Sequence, residues 1–458
     1  MKISKLFEPV DMTTGNPVRQ ILVFTIPMLL GNIAQQLYNT VDSIIVGRFV
    51  GDNALAAVGS AGPIFNLLLV LFIGISVGAT IMVSQYLGAR NREALSRSIG
   101  CCITLTVIAS AVIMVAGSLL AYPLLKLLNT PDSIIGWCRD YLIILSLGCV
   151  GSGLYNILSG VLRGLGDSVS ALIYLLIATA INIVLDYCFV AYLGLGVAGV
   201  ALATIIAQMV SAVLCLRKLM HMEDLFDFRK EYLKPEKIYS ASLIRLGLPS
   251  GITQAILSMS MIVVQSLTNS FGEQFIAANV IVMRIDGFVM LPAFSFGTAM
   301  TTYAGQNIGA GRMDRVTKGA RQGTFCAMGI SAVLTLLILL FGPKIMGIFT
   351  ETEELIALSY KMMRILGIGY IMMEVTQCLS GIMRGAGDTI TPMWISIANS
   401  IAIRVPLAYL LVHLTKTPDL PQGDCAMMFV SLVLTWTIGA LLTFFFYRLG
   451  RWKGKAIV

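Results

Sequence analysis

"LSGVLRGLGDS", residues 158–168, returns as "LSGIMRGAGDT" at residues 379–389, 221 positions later in a chain of 458. Two other pairs keep the same offset: "QYLGAR" at 85–90 with "QNIGAG" at 306–311, and "LAA" at 55–57 with "IAA" at 276–278. A repeat at nearly half the chain length marks an internal duplication, and it governs how every other element is read.

What is duplicated is apolar. Hydrophobic residues make up 57% of the chain and charged residues 12%, about half the charged share of an ordinary soluble domain. A helix needs about 20 mostly apolar residues to cross the hydrocarbon core. Reading between charged or glycine-rich breaks gives twelve such stretches, near 19–46, 53–86, 98–121, 138–159, 169–192, 196–216, 243–268, 275–304, 318–341, 357–380, 390–413 and 425–447. The expected fold is an all-α polytopic membrane protein with twelve transmembrane helices in two six-helix lobes, 1–216 and 243–458. Six is even, so both lobes start on the same side. They are then related by a pseudo-two-fold axis along the membrane normal, an arrangement found in transporters.

The one long charged stretch, 217–242, joins the halves and is read as a cytoplasmic interlobe linker. Lys and Arg gather on one side of the spans, in groups such as Arg90, Arg92 and Arg97, in the linker, and in Arg312, Arg315 and Lys318. This bias predicts that both termini face the cytoplasm, with the lipid bilayer of the cell inner (plasma) membrane as the surroundings. The start, "MKISKLFEPVDMTTGNPVR", has no short apolar core and is read as mature protein rather than a signal peptide.

Several function classes drop out. The net charge of +8 follows the loops, so it does not call for nucleic acid. Nine cysteines lie scattered with no CxxC pair, and two histidines, His221 and His413, stand far apart. Neither disulfide nor metal chemistry fits that spacing, and no cofactor is expected. No clustered His, Ser or metal constellation suggests an enzyme. The R-G-x-G-D repeats lack the Lys-Ser/Thr of a phosphate loop. They read as tight turns at span ends, where glycine permits the turn and Arg163, Asp167, Arg384 and Asp388 pair or cap.

Charges inside the spans are costly, about 2.5–3.5 kcal/mol each on insertion scales, and so mark function by default. Gln35, Tyr38, Asn39 and Asp42 are spaced by three and four, so they share one helix face that must line a polar cavity or meet another helix. The fifth span offers Asn182 and Asp186, four apart, and the sixth Thr204. Carboxylate, amide and hydroxyl oxygens suit hard cations, and carboxylates removed from water also bind protons more readily. The same group could therefore hold Na⁺ or H⁺. The repeat carries none of it into the second lobe, where Asp186 maps to Leu407 and Asn182 to Ile403. That lobe instead has Arg284, Asp286, Glu374 and Arg404, whose opposite charges can form a structural network; Glu374 is alternatively a second cation or substrate contact.

At these residues the sequence resembles the multidrug and toxic compound extrusion (MATE) family of secondary transporters. The resemblance covers essentially the whole chain: "IPMLLGNIAQQLYNTVDSIIVG", "LAAVG", "SQYLGARN", "GQNIGAG" and the paired RGxGD turns. It implies alternating access and export of amphipathic organic cations in antiport with Na⁺ or H⁺. It also implies that Asp42, Asn182, Asp186 and Thr204 form the coupling-ion site, with Gln35, Tyr38 and Asn39 lining the substrate cavity. Some members carry an acidic residue in span seven, where this chain has Gln254; Glu374 falls near another acidic position of such members. The expected protein is a functional monomer whose partners are small organic cations. The alternative is a flippase of lipid-linked oligosaccharide or peptidoglycan precursors, which would need a basic cavity for its pyrophosphate.

Overall fold

The structure, a computed structural model, describes residues 9–128, 130–418 and 420–458. Among them the regular structure is helical. In chain order the α-helices are α1 (Pro17–Phe49), α2 (Asp52–Gly88), α3 (Arg92–Leu127), α4 (Asp132–Leu147), α5 (Cys149–Gly164), α6 (Ser168–Asp186), α7 (Gly196–Met220) and α8 (Lys237–Asn269). They continue with α9 (Glu273–Val289), α10 (Leu291–Gly309), α11 (Met313–Met346), α12 (Glu353–Gly385), α13 (Ile390–Ile397), α14 (Arg404–Leu414) and α15 (Ala426–Leu449).

Among the described residues eleven spans are long and apolar enough to cross a membrane, and a twelfth forms if α4 and α5, bent by 52° at Gly148, count as one. The chain is thus a multi-pass membrane protein with the expected all-helical fold. α7 continues to Met220 and α8 starts at Lys237, because helices persist past the apolar run into charged residues.

Two compact units emerge. Of the described residues, one holds 9–11, Ile26–Gly251 and Ile457–Val458; the other holds Met12–Thr25 and Ile252–Ala456. The units follow the sequence halves except at the beginnings of α1 and α8 and at the chain ends. In the first unit, glycines let α2 and α8 touch backbone to backbone: a Cβ on Gly78 would stand 2.8 Å from the Leu243 carbonyl oxygen, and one on Gly74 2.7 Å from that of Gly247. Small residues at such crossings replace the hydrophobic drive that lipid does not supply.

The duplicated turns have the same construction in both units. Gly166 and Gly387 adopt φ of 92° and 91°, a region closed to most side chains. The aspartate that follows caps the next helix: Asp167 Oδ1 accepts from the Ser170 N–H at 2.9 Å, and Asp388 Oδ1 from the Thr391 N–H at 3.1 Å. The arginines do not pair with these aspartates; Arg163 turns instead to the hydroxyls of Ser159 and Ser76.

The linker docks on α3 in the first unit. Arg92 Nη2 lies 2.8 Å from Asp227 Oδ1, Arg97 pairs with Glu236, and the Asp227 N–H donates to Ser96 Oγ at 2.8 Å. A repeat-related pair of glutamines holds the chain ends, with Gln85 Oε1 accepting from the Ile457 N–H in the first unit and Gln306 Oε1 from the Met12 N–H in the second.

Candidate functional site: a carboxylate pair in the first unit

α1 is one continuous helix through its polar residues. Its face of Gln35, Tyr38 and Asp42 is partly buried, while Asn39, expected on the same face, is exposed. α6 ends at Asp186, and both Asn182 and Asp186 are 0% exposed. They face inward because an i, i+4 pair lies on one side of a helix. Thr204 comes from α7.

These elements bring the predicted residues together. The carboxyls of Asp42 and Asp186 are electrostatic neighbours. Asn182 bridges to α7: with its amide oriented to satisfy both neighbours, Nδ2 donates to Asp186 Oδ2 at 2.8 Å and the carbonyl oxygen accepts from the Thr204 N–H at 3.2 Å. Tyr38 and Thr204 share a hydroxyl–hydroxyl contact of 3.3 Å. The remaining oxygens, Oδ1 of Asp42 and Oδ1 of Asp186, are buried without a hydrogen-bond partner. Two carboxylates at such range repel if both are bare and charged, so a proton or a cation between them is the natural complement.

The donor set decides which cations fit. It offers two carboxylates and neutral oxygens from Thr204 and Tyr38, with no cluster of three or more His, Cys, Asp or Glu among the described residues. Oxygen ligands without thiolate or imidazole suit a hard cation, or a proton shared between the two carboxyls, better than a transition metal.

Sequence reasoning missed two features. Tyr141 of α4, 7% exposed, lies within electrostatic range of Asp42, Tyr38 and Asp186. A lone tyrosine in an apolar span gives no periodic signal. A π-helical turn, Tyr187–Tyr192, begins directly after Asp186; such turns often sit at functional sites because they re-aim neighbouring side chains.

The second unit does not gather its charges into one network. Asp286 and Arg404 line one cavity of about 100 Å³, with Tyr370 beside Asp286. Arg284 points away, exposed, since two residues along a helix turn the side chain about 200°. Gln254 is exposed as well. Glu374 is 1% exposed, its Oε2 has no hydrogen-bond partner, and no ion pair reaches it among the described residues. It lies one turn beyond Tyr370 on α12.

Comparison with known proteins carries the assignment. The family model MatE matches residues 27–188 and again 249–410, once in each half. The chain belongs to the MATE family of transporters. Among MATE relatives, a probable multidrug resistance protein YoeA of Bacillus subtilis is 32% identical over 446 residues, covering 96% of this chain and 95% of that one. A second from the same organism, YpnP, is 28% identical over 454 residues and 98% of each chain. A solved structure described as the outward-facing conformation of a multidrug resistance MATE family transporter matches with TM-score 0.90 at 25% identity, covering 97% of this chain and 98% of that one. As a MATE transporter the protein is not an enzyme.

Proposed function

We propose that this MATE transporter exports amphipathic organic cations in antiport with Na⁺ or H⁺, and that Asp42, Asn182, Asp186 and Thr204 form the coupling-ion site. The observation that carries the reading is the convergence of Asp42 and Asp186 with no Lys or Arg, among the described residues, acting on either carboxylate. Binding of the coupling cation offsets their charge; the cationic substrate seeks the same charge, and the two ligands oppose one another. Exchange follows when each favours a different state of the transporter. Gln35 and Tyr38 continue the polar face of α1 toward the substrate, and Asn39 borders it from the exposed side.

The protein works as a monomer in the inner (plasma) membrane with both termini cytoplasmic, and the halves 1–216 and 243–458 are its lobes. Efflux of an organic cation from proteoliposomes under separately imposed Na⁺ and pH gradients tests this. One of the two gradients should drive transport. If neither moves any organic cation, the precursor-flippase reading replaces this one.

A further inference from the structure

One partly buried cation in the first unit takes no part in the exchange above. Arg163 Nη1 donates to Ser159 Oγ at 3.3 Å and Nη2 to Ser76 Oγ at 3.2 Å. Both acceptors are neutral, and both hydroxyls give their own protons to the Asn156 carbonyl oxygen, at 3.0 and 2.6 Å. The Arg163 Nε–H is buried with no partner. Among the described residues no carboxylate pairs with the guanidinium. The neighbouring Asp167 is committed to Ser170 and to Lys218, 3.7 Å away. A buried charge without a counter-charge is expensive unless something of opposite sign joins it.

Arg163 lines a cavity of about 170 Å³ with Asn32, Gln35, Ser159 and Ser168. Ser168 is 2% exposed, and its Oγ is buried without a hydrogen-bond partner. It is also the first residue of α6, whose first turn is already capped by the Asp167 carboxylate, so the helix end adds no free charge to the cavity. A guanidinium and an idle hydroxyl donor thus border one space. A water needs roughly 10–15 Å³ of such volume, so the cavity has room for a small ion with water, or for one acidic group of a longer molecule.

We propose that this cavity binds a small monoanion, either chloride or the carboxylate of a zwitterionic substrate, held by Arg163 and Ser168. Gln35 lies on the same face of α1 as Asp42, seven residues or about 10 Å along the helix. A zwitterion of that length would find a positive and a negative site on one side of α1.

Full-length protein in nanodiscs, held in potassium sulfate, is titrated with potassium chloride or potassium benzoate at constant ionic strength, and its melting temperature is followed. A saturable rise of about 2 °C or more is expected, lost in Ser168→Ala and in Arg163→Gln. Ser168→Ala keeps the charge and carries the test where Arg163→Gln does not fold. A response to chloride alone identifies the inorganic ion, one to benzoate alone the acidic group of a substrate, and one to both a general monoanion site; each supports the proposal. No saturable response in the wild type, or an undiminished one in Ser168→Ala, overturns it. Asp42→Asn is expected to keep the full response, so failure of the anion site is separable from failure of the cation site.

Discussion

Asn182 donates from Nδ2 to Asp186 Oδ2 at 2.8 Å while its carbonyl oxygen receives the Thr204 N–H at 3.2 Å, so one amide locks the end of α6 to α7. Its burial is complete. An amide held at both ends fixes where the Asp186 carboxylate points, and a cation held between Asp186 and Asp42 depends on that aim.

Asn182→Ala is therefore expected to weaken the coupling cation by about 10–100-fold, the usual cost of losing a group that orients a ligand. The check is the Na⁺ or H⁺ concentration giving half-maximal efflux, beside a melting curve showing that the variant still folds. An unchanged half-maximal concentration would leave Asn182 a packing residue.

Tyr141→Phe removes only a hydroxyl, from a side chain that neighbours Asp42, Tyr38 and Asp186. A change in cation dependence with little change in melting temperature is expected. A variant with wild-type cation dependence would mean that Tyr141 only fills space behind the pair.

The duplicated turns make a stability prediction. A Cβ at Gly166 would stand 2.4 Å from the Val10 carbonyl oxygen, and φ there is +92°. Gly166→Ala should cost about 1–3 kcal/mol through strain. Asp167→Ala and Asp388→Ala should each cost about 1 kcal/mol through the lost cap. Melting temperatures of the three variants, ranked against wild type, check this.

Docking of the linker on α3 depends on pH. The Arg92 guanidinium holds the Asp227 carboxyl below its ordinary range. A depressed folded-state pKa stabilises the docked linker above the unfolded value, about 3.9, and that contribution fades as pH falls through the folded value. Proteolysis within 221–236 should accelerate below about pH 4. Arg92→Ala should show faster cleavage already at pH 7.

Local repeats carried much of this fold into the sequence. Asp42 was legible because three- and four-residue spacing puts polar groups on one helix face, and Asp186 because Asn182 precedes it by one turn. The RGxGD turns were legible as caps because glycine and aspartate have few other uses at span ends. Other features depend on contacts distant in sequence. Tyr141 reaches the pair from α4, and Tyr370 meets Asp286 from α12; neither leaves a periodic trace. Arg284 and Asp286 were read as members of one charge network with Glu374 and Arg404, yet helix geometry sends these two to opposite sides of α9. The assignment of Met12–Thr25 to the second compact unit, apart from the rest of α1, likewise has no sequence mark.

The central claim is that Asp42 and Asp186 bind one coupling cation together. Gradient-driven efflux of an organic cation is measured in proteoliposomes for wild type, Asp42→Asn, Asp186→Asn and the double variant. The account predicts that either single variant loses gradient-driven efflux by about tenfold or more and that the double variant is no worse than the singles, as residues acting as a unit behave. Full gradient-driven efflux in Asp42→Asn, or losses in the two singles that multiply in the double variant, would contradict it.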